Sequence, residues 1–79
     1  KMYANPTSDQ VTLDYILDID GQVEINVYDM LGRKVINQSL QQEEGQQKVQ
    51  LNAADLLDGT YILQINAENQ QIIRKFNKN

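Results

Sequence analysis

Three cations, Arg74, Lys75 and Lys78, close the chain around a single aromatic, Phe76, with no carboxylate side chain after Glu68. The chemistry open to such a group is ionic. An arginine fork grips a carboxylate or phosphate through paired hydrogen bonds, and lysines add point charges beside it. The chain as a whole has the opposite sign, with seven cations against eleven carboxylates and a net charge of -4. A basic segment closing an acidic domain is an end that another molecule can read. The same residues have a second reading, because edge strands also carry lysine simply to discourage pairing with other chains.

Other candidate chemistry falls away on inspection. Asp18-Ile19-Asp20-Gly21 looks like the opening of a calcium loop, but it lacks a third ligand at the next spacing and the distal glutamate, so a turn is expected there. There is no histidine, the usual general base of serine and cysteine hydrolases and the usual zinc ligand. There is no cysteine either, which removes disulfides and thiolate metal sites. Asp18 and Asp20 would share one strand face in a domain too small for a deep cleft. Asn37-Gln38-Ser39 matches an N-glycosylation acceptor only formally. The acidic balance and few aromatics argue against nucleic acid, which needs a basic field over most of a face. The expectation is therefore a non-enzyme with no catalytic residue, cofactor or metal.

The elements that must present the closing segment follow from hydrophobic periodicity. At 79 residues there is room for one domain, near the lower limit at which a core suffices without staples. No apolar run exceeds three residues, as in Tyr61-Ile62-Leu63, so no helical membrane span is expected. No charged-then-apolar leader follows Lys1, and any leader would belong to a larger precursor.

The period is two almost throughout. Val11, Leu13, Tyr15 and Leu17 alternate with Thr12, Asp14 and Ile16; Val23, Ile25 and Val27 alternate with Glu24, Asn26 and Tyr28. Asp20-Gly21 between them reads as a hairpin signal. Asp29-Met30-Leu31-Gly32 suits a type I turn closed by a left-handed glycine, with Arg33 to Leu40 as the returning strand. Gln41 to Gly45 reads as a surface turn, and Gln47, Val49 and Leu51 as a fifth segment near an edge. Ala53 to Leu57 is long enough for about one helical turn capped by Asn52. Gly59 then resets the chain into Tyr61, Leu63 and Ile65, Glu68-Asn69 turns it, and Gln70 to Asn77 is the final strand. With Met2 to Asn5 as a lead-in, an all-β immunoglobulin-like antiparallel sandwich of about seven strands is expected, with residues 1–9 leading into a sandwich over 10–79. Strict alternation puts Ile72, Arg74, Phe76 and Lys78 on one face, and a bulge or early end to pairing near Arg74 would relieve that conflict.

Individual residues have physical readings of their own. Pro6 fixes its φ and pushes Asn5 to an extended conformation, pinning the approach to the first full strand. Gly32 and Gly59 suit backbone geometry that a side chain would obstruct. Tyr61 reads as a core aromatic whose hydroxyl reaches a loop carbonyl, and Tyr28 as a more exposed cross-strand partner.

Tyr3-Ala4-Asn5-Pro6, then Val23 to Val35 with Tyr28-Asp29-Met30-Leu31-Gly32-Arg33 at its centre, then Leu56-Leu57-Asp58-Gly59-Thr60-Tyr61-Ile62-Leu63, then the basic terminus, follow one another in a specific order and spacing. In these features the chain resembles, over essentially its whole length, the type A C-terminal sorting domain of the type IX (Por) secretion system of Bacteroidetes. It departs from the usual Pro-Asn-Pro start in having Ala4 before Asn5, which touches the lead-in rather than the core. The resemblance implies a domain at the C-terminus of a cargo protein that crosses the inner membrane by an ordinary leader. It would be read in the periplasm by the type IX translocon, carried across the outer membrane to the cell surface or medium, and cut off upstream by a cysteine-protease sortase that commonly transfers the cargo to an anionic lipopolysaccharide. The partners implied are the translocon, the sortase and the N-terminal cargo domain of the same precursor, and the recognition residues would be Arg74, Lys75 and Lys78 supported by Phe76. An exposed pairing edge also leaves room for a homodimer through the last strand. The alternative is a carbohydrate-binding or structural, adhesive accessory module of a larger secreted enzyme. A sugar binder normally stacks its ligand on exposed aromatics, whereas this chain has no tryptophan and its aromatics are scattered.

Overall fold

In the computed structural model, Met2–Tyr3 and residues 10–78 are described, and Asn5 and Pro6 lie outside the described residues. The described residues form six long strands and one short one: β1 (Met2–Tyr3), β2 (Gln10–Leu17), β3 (Gly21–Tyr28), β4 (Lys34–Gln42), β5 (Gly45–Asn52), β6 (Gly59–Ala67) and β7 (Gln70–Lys78). All pairs are antiparallel and fall into two sheets, ordered β1-β2-β5 and β4-β3-β6-β7. This is an immunoglobulin-like sandwich in which the fourth strand pairs with the third instead of joining the smaller sheet.

Alternation supplies the core. Val11, Leu13, Tyr15 and Leu17 of β2 face Val23, Ile25 and Val27 of β3, with Val49 and Leu51 of β5, Ala53 just after it, Tyr61, Leu63 and Ile65 of β6, and Phe76 of β7 completing the cluster. Each such side chain contributes about 1.5–3 kcal/mol when fully buried. β5 is an edge strand, as its weaker pattern suggests.

Three expectations need correction. Asp20-Gly21 is not the turn of a hairpin, because β2 and β3 belong to different sheets and the chain crosses the sandwich there. Both strands bury one face completely, and packing face to face satisfies both; a local turn signal is the same for a hairpin and for such a corner. Asn52 to Asp58 forms no helix. Asn52 Oδ1 accepts from the Ala54 N–H at 2.9 Å and Leu56 N–H donates to the Ala53 carbonyl at 3.1 Å, after which β6 begins. β7 has no bulge near Arg74, since it pairs in unbroken register from Ala67↔Gln70 to Gly59↔Lys78. The irregularity falls between Val27 and Tyr28, where β4 carries Val35 as an extra residue.

The Asp29–Arg33 turn forms as expected. Gly32 has φ +84 and donates its N–H to the Asp29 carbonyl at 3.0 Å, while the Asp29 N–H donates to the Arg33 carbonyl at 3.0 Å. Glu68-Asn69 is likewise the two-residue turn of the β6–β7 hairpin.

Candidate functional site at the last strand

β7 is an edge strand of the larger sheet, hydrogen-bonded only to β6 among the described residues. Its side chains divide by exposure and not by face, since in this unbroken register Arg74 shares the face of Phe76 and Lys78 while Lys75 lies on the other. Arg74 and Lys75 are exposed, whereas Phe76 is 4% and Lys78 8% exposed. Two of the four expected recognition residues are thus turned inward. Phe76 stacks on Tyr61, its partner in the β6–β7 register, with ring centroids 5.5 Å apart. Lys78 lines a shallow depression together with Asp58, Gly59, Thr60 and Asn77.

Lys75 sits at the end of a row that crosses the outer face of the sheet. Register aligns Lys34 of β4, Tyr28 of β3, Ile62 of β6 and Lys75 of β7. The Lys34 ammonium lies 5.9 Å from the Tyr28 ring centroid, a cation–π contact that explains why Tyr28 is half-buried. The neighbouring rows form a web of amides. Asn37 Nδ2 donates to Glu24 Oε2 at 2.9 Å and to Asn26 Oδ1 at 2.6 Å, Asn66 Nδ2 donates to Gln64 Oε1 at 2.9 Å, and Gln71 Nε2 donates to Asn66 Oδ1 at 2.9 Å. These bonds let Asn26 be 2% exposed on a polar face.

Charge is polarised along the sandwich. The β2–β3, β4–β5 and β6–β7 connections meet at one end and carry Asp18, Asp20, Glu43, Glu44 and Glu68 with no cation; the Glu44 N–H donates to Asp20 Oδ1 at 2.7 Å. At the opposite end are Arg33, Lys34, Lys75 and Lys78 with Asp29, Asp55 and Asp58. Asp29 is engaged there: its Oδ1 accepts from the Leu31 and Arg33 N–H groups at 2.9 Å and its Oδ2 from Arg33 Nε at 2.7 Å. The backbone N–H of Arg33, then its guanidinium and the Leu31 N–H, hold the Asp29 carboxyl below the usual range. This end also exposes Met30, Leu31 and Leu57, at 64%, 79% and 82%. Periodicity did not single these out as surface residues, although apolar side chains inside turn segments bounded by aspartate and glycine are the signal that could have found them.

Of the structural residues, Tyr61 meets its expectation: its hydroxyl donates to the Leu57 carbonyl at 2.6 Å, tying the β5–β6 loop to the core. No group of three or more acidic ligands placed to hold a metal occurs among the described residues. No helix among them is long and apolar enough to cross a membrane.

A family model described as the secretion system C-terminal sorting domain matches residues 1–79. No curated protein matches the chain.

Proposed function

The chain belongs to the family of secretion system C-terminal sorting domains, and from that membership we propose that the type IX machinery reads it along the exposed edge of β7, at Arg74 and Lys75. The family is the C-terminal sorting signal of the type IX secretion system, a recognised element that directs a cargo across the outer membrane to the cell surface or medium, and not a catalytic one. The accessory-module alternative gains no support from that match.

The observation that supports the β7 edge is its geometry. Among the described residues it is unpaired on one side, and it exposes Arg74 at mid-strand and Lys75 towards the end that carries Arg33, Lys34 and Lys78. The backbone edge offers strand addition, while Arg74 and Lys75 select an acidic partner. Phe76 and Lys78 act indirectly, by fastening the strand to β6 so that its edge is rigid. The successive partners are then the N-terminal cargo of the precursor, the translocon met in the periplasm, and a sortase at the surface that removes the domain. The same edge would serve a homodimer, which sedimentation over a concentration series separates from receptor binding.

Docking by two exposed cations is screened by salt, with a Debye length of about 8 Å at 0.15 M. Binding of the domain to outer membranes from a type IX-competent host should therefore weaken steeply between low and high salt, and be absent with membranes from a host lacking the system. Salt-independent binding would move recognition away from Arg74 and Lys75.

A further inference from the structure

The second open edge of the sandwich lies on β2. Among the described residues β1 pairs with β2 only at Leu13 and Thr12, and no strand lies beside Tyr15 to Leu17 on that side. A groove of about 500 Å³ runs there between β2 and β7, and its walls include Tyr15, Ile16, Ile72 and Arg74. Ile16 is 65% exposed at its rim.

The far end of this edge is closed by a side chain. Gln70 Nε2 donates to the Ile16 carbonyl at 2.5 Å, and Gln70 Oε1 accepts from the Asp18 N–H at 3.0 Å. One carboxamide thus takes the place of a peptide group of a neighbouring strand. It also fixes the sense of the edge, because the N–H and C=O of one strand residue point to the same side. The Ile16 N–H therefore points into the groove.

The register of β1 says what belongs in it. Met2 pairs with Leu13 and Tyr3 with Thr12, so the polypeptide arriving ahead of Met2 is carried antiparallel along β2 towards Tyr15 and Ile16. We infer that the groove between β2 and β7 is the seat of the linker that joins the cargo to this domain, which extends β1 along the open edge of β2 as far as the Gln70 carboxamide. This rests on the sorting reading, which places a cargo upstream. A linker paired in this way is withheld from proteolysis, since a protease needs an extended segment free of partners. Removal of the domain then requires a cut ahead of the paired stretch, or a step that peels the linker from β2.

Residue-resolved amide hydrogen exchange on the full precursor tests this. It is compared with a precursor whose four residues ahead of Lys1 are replaced by Pro-Gly-Pro-Gly, which disfavours a paired strand by removing N–H donors and adding backbone freedom. The Ile16 N–H should exchange at least tenfold more slowly in the natural precursor. Equal rates overturn the inference, and protection that rises with concentration in both overturns it in favour of a second copy on the edge. Gln70→Ala in the natural precursor should release the Asp18 N–H and leave Ile16 protected; release of both would mean that Gln70 rather than the linker covers Ile16. Export is scored in parallel, so that loss of protection in a precursor still exported overturns this inference alone.

Discussion

Phe76 stacks on Tyr61 across the β6–β7 register, with ring centroids 5.5 Å apart and planes inclined by 22°. The contact joins the closing strand to the core, and Tyr61 in turn holds the Leu57 carbonyl. Phe76→Ala removes a core ring and should cost about 3–5 kcal/mol, a large part of what a domain this size holds. Chemical denaturation measures it, and a loss under about 1 kcal/mol would mean that the end of β7 is not packed as described.

Tyr61→Phe isolates the hydroxyl. It should cost about 0.5–1.5 kcal/mol, the worth of one hydrogen bond, with the ring stack kept. In a domain this small that lowers the melting temperature by about 4–8 °C per kcal/mol. An unchanged melting temperature would remove Leu57 as a partner of consequence.

Gly32 and Gly59 separate on backbone angle. Gly32 has φ +84, and a Cβ there would meet nothing within 4 Å, so Gly32→Val is penalised by conformation rather than by a clash, at about 1–3 kcal/mol. Gly59, at φ +155, lies near the extended limit, and a Cβ there would meet Tyr61 Cε2 at an ordinary 4.0 Å. Gly59→Val is strained as well, but less far from extended backbone, so it should be the milder of the two valine changes, and the two denaturation midpoints check the order.

The Asp29 turn should respond to acid. Its carboxyl is held low in the folded chain, first by the Arg33 backbone N–H, so its contribution is present above the ordinary aspartate pKa of about 3.9 and is lost as pH falls through the lower folded value. Asp29→Asn abolishes that titration. Between about pH 5 and pH 2 the variant should lose less stability than the parent, because only the parent carries the Asp29 carboxylate and its bonds to Arg33 and Leu31. Parallel curves would show that the turn makes no such contribution.

Much of the fold was legible because alternation is a local property that burial then enforces. Val11, Leu13 and Leu17, and Val23, Ile25 and Val27, are at most 2% exposed, as their spacing requires. The crossing at Asp20-Gly21 was not legible, since choosing between a hairpin and a corner depends on which strands pair later in the chain. Of the site, Arg74 and Lys75 stand exposed as expected. The inward turn of Lys78 follows from its alternation with Phe76, and only its charge argued for a bulge that β7 does not have. The groove beside Ile16 was hidden, because it is made by Gln70, which is 54 positions away in sequence.

Export of a fluorescent reporter bearing this domain at its C-terminus, in a type IX-competent host, tests most directly whether the edge of β7 is read. Three fusions are fractionated together: the unaltered domain, no domain, and Arg74→Gln/Lys75→Gln. Exposed substitutions of this kind shift stability by only about 0.5 kcal/mol, so the altered domain should melt close to the parent. The expected result is surface or medium reporter for the unaltered domain and retention inside the outer membrane for the other two. Normal export of the folded Arg74→Gln/Lys75→Gln fusion would contradict recognition through these cations and move it to the backbone edge or to the turns at Gly32 and Gly59.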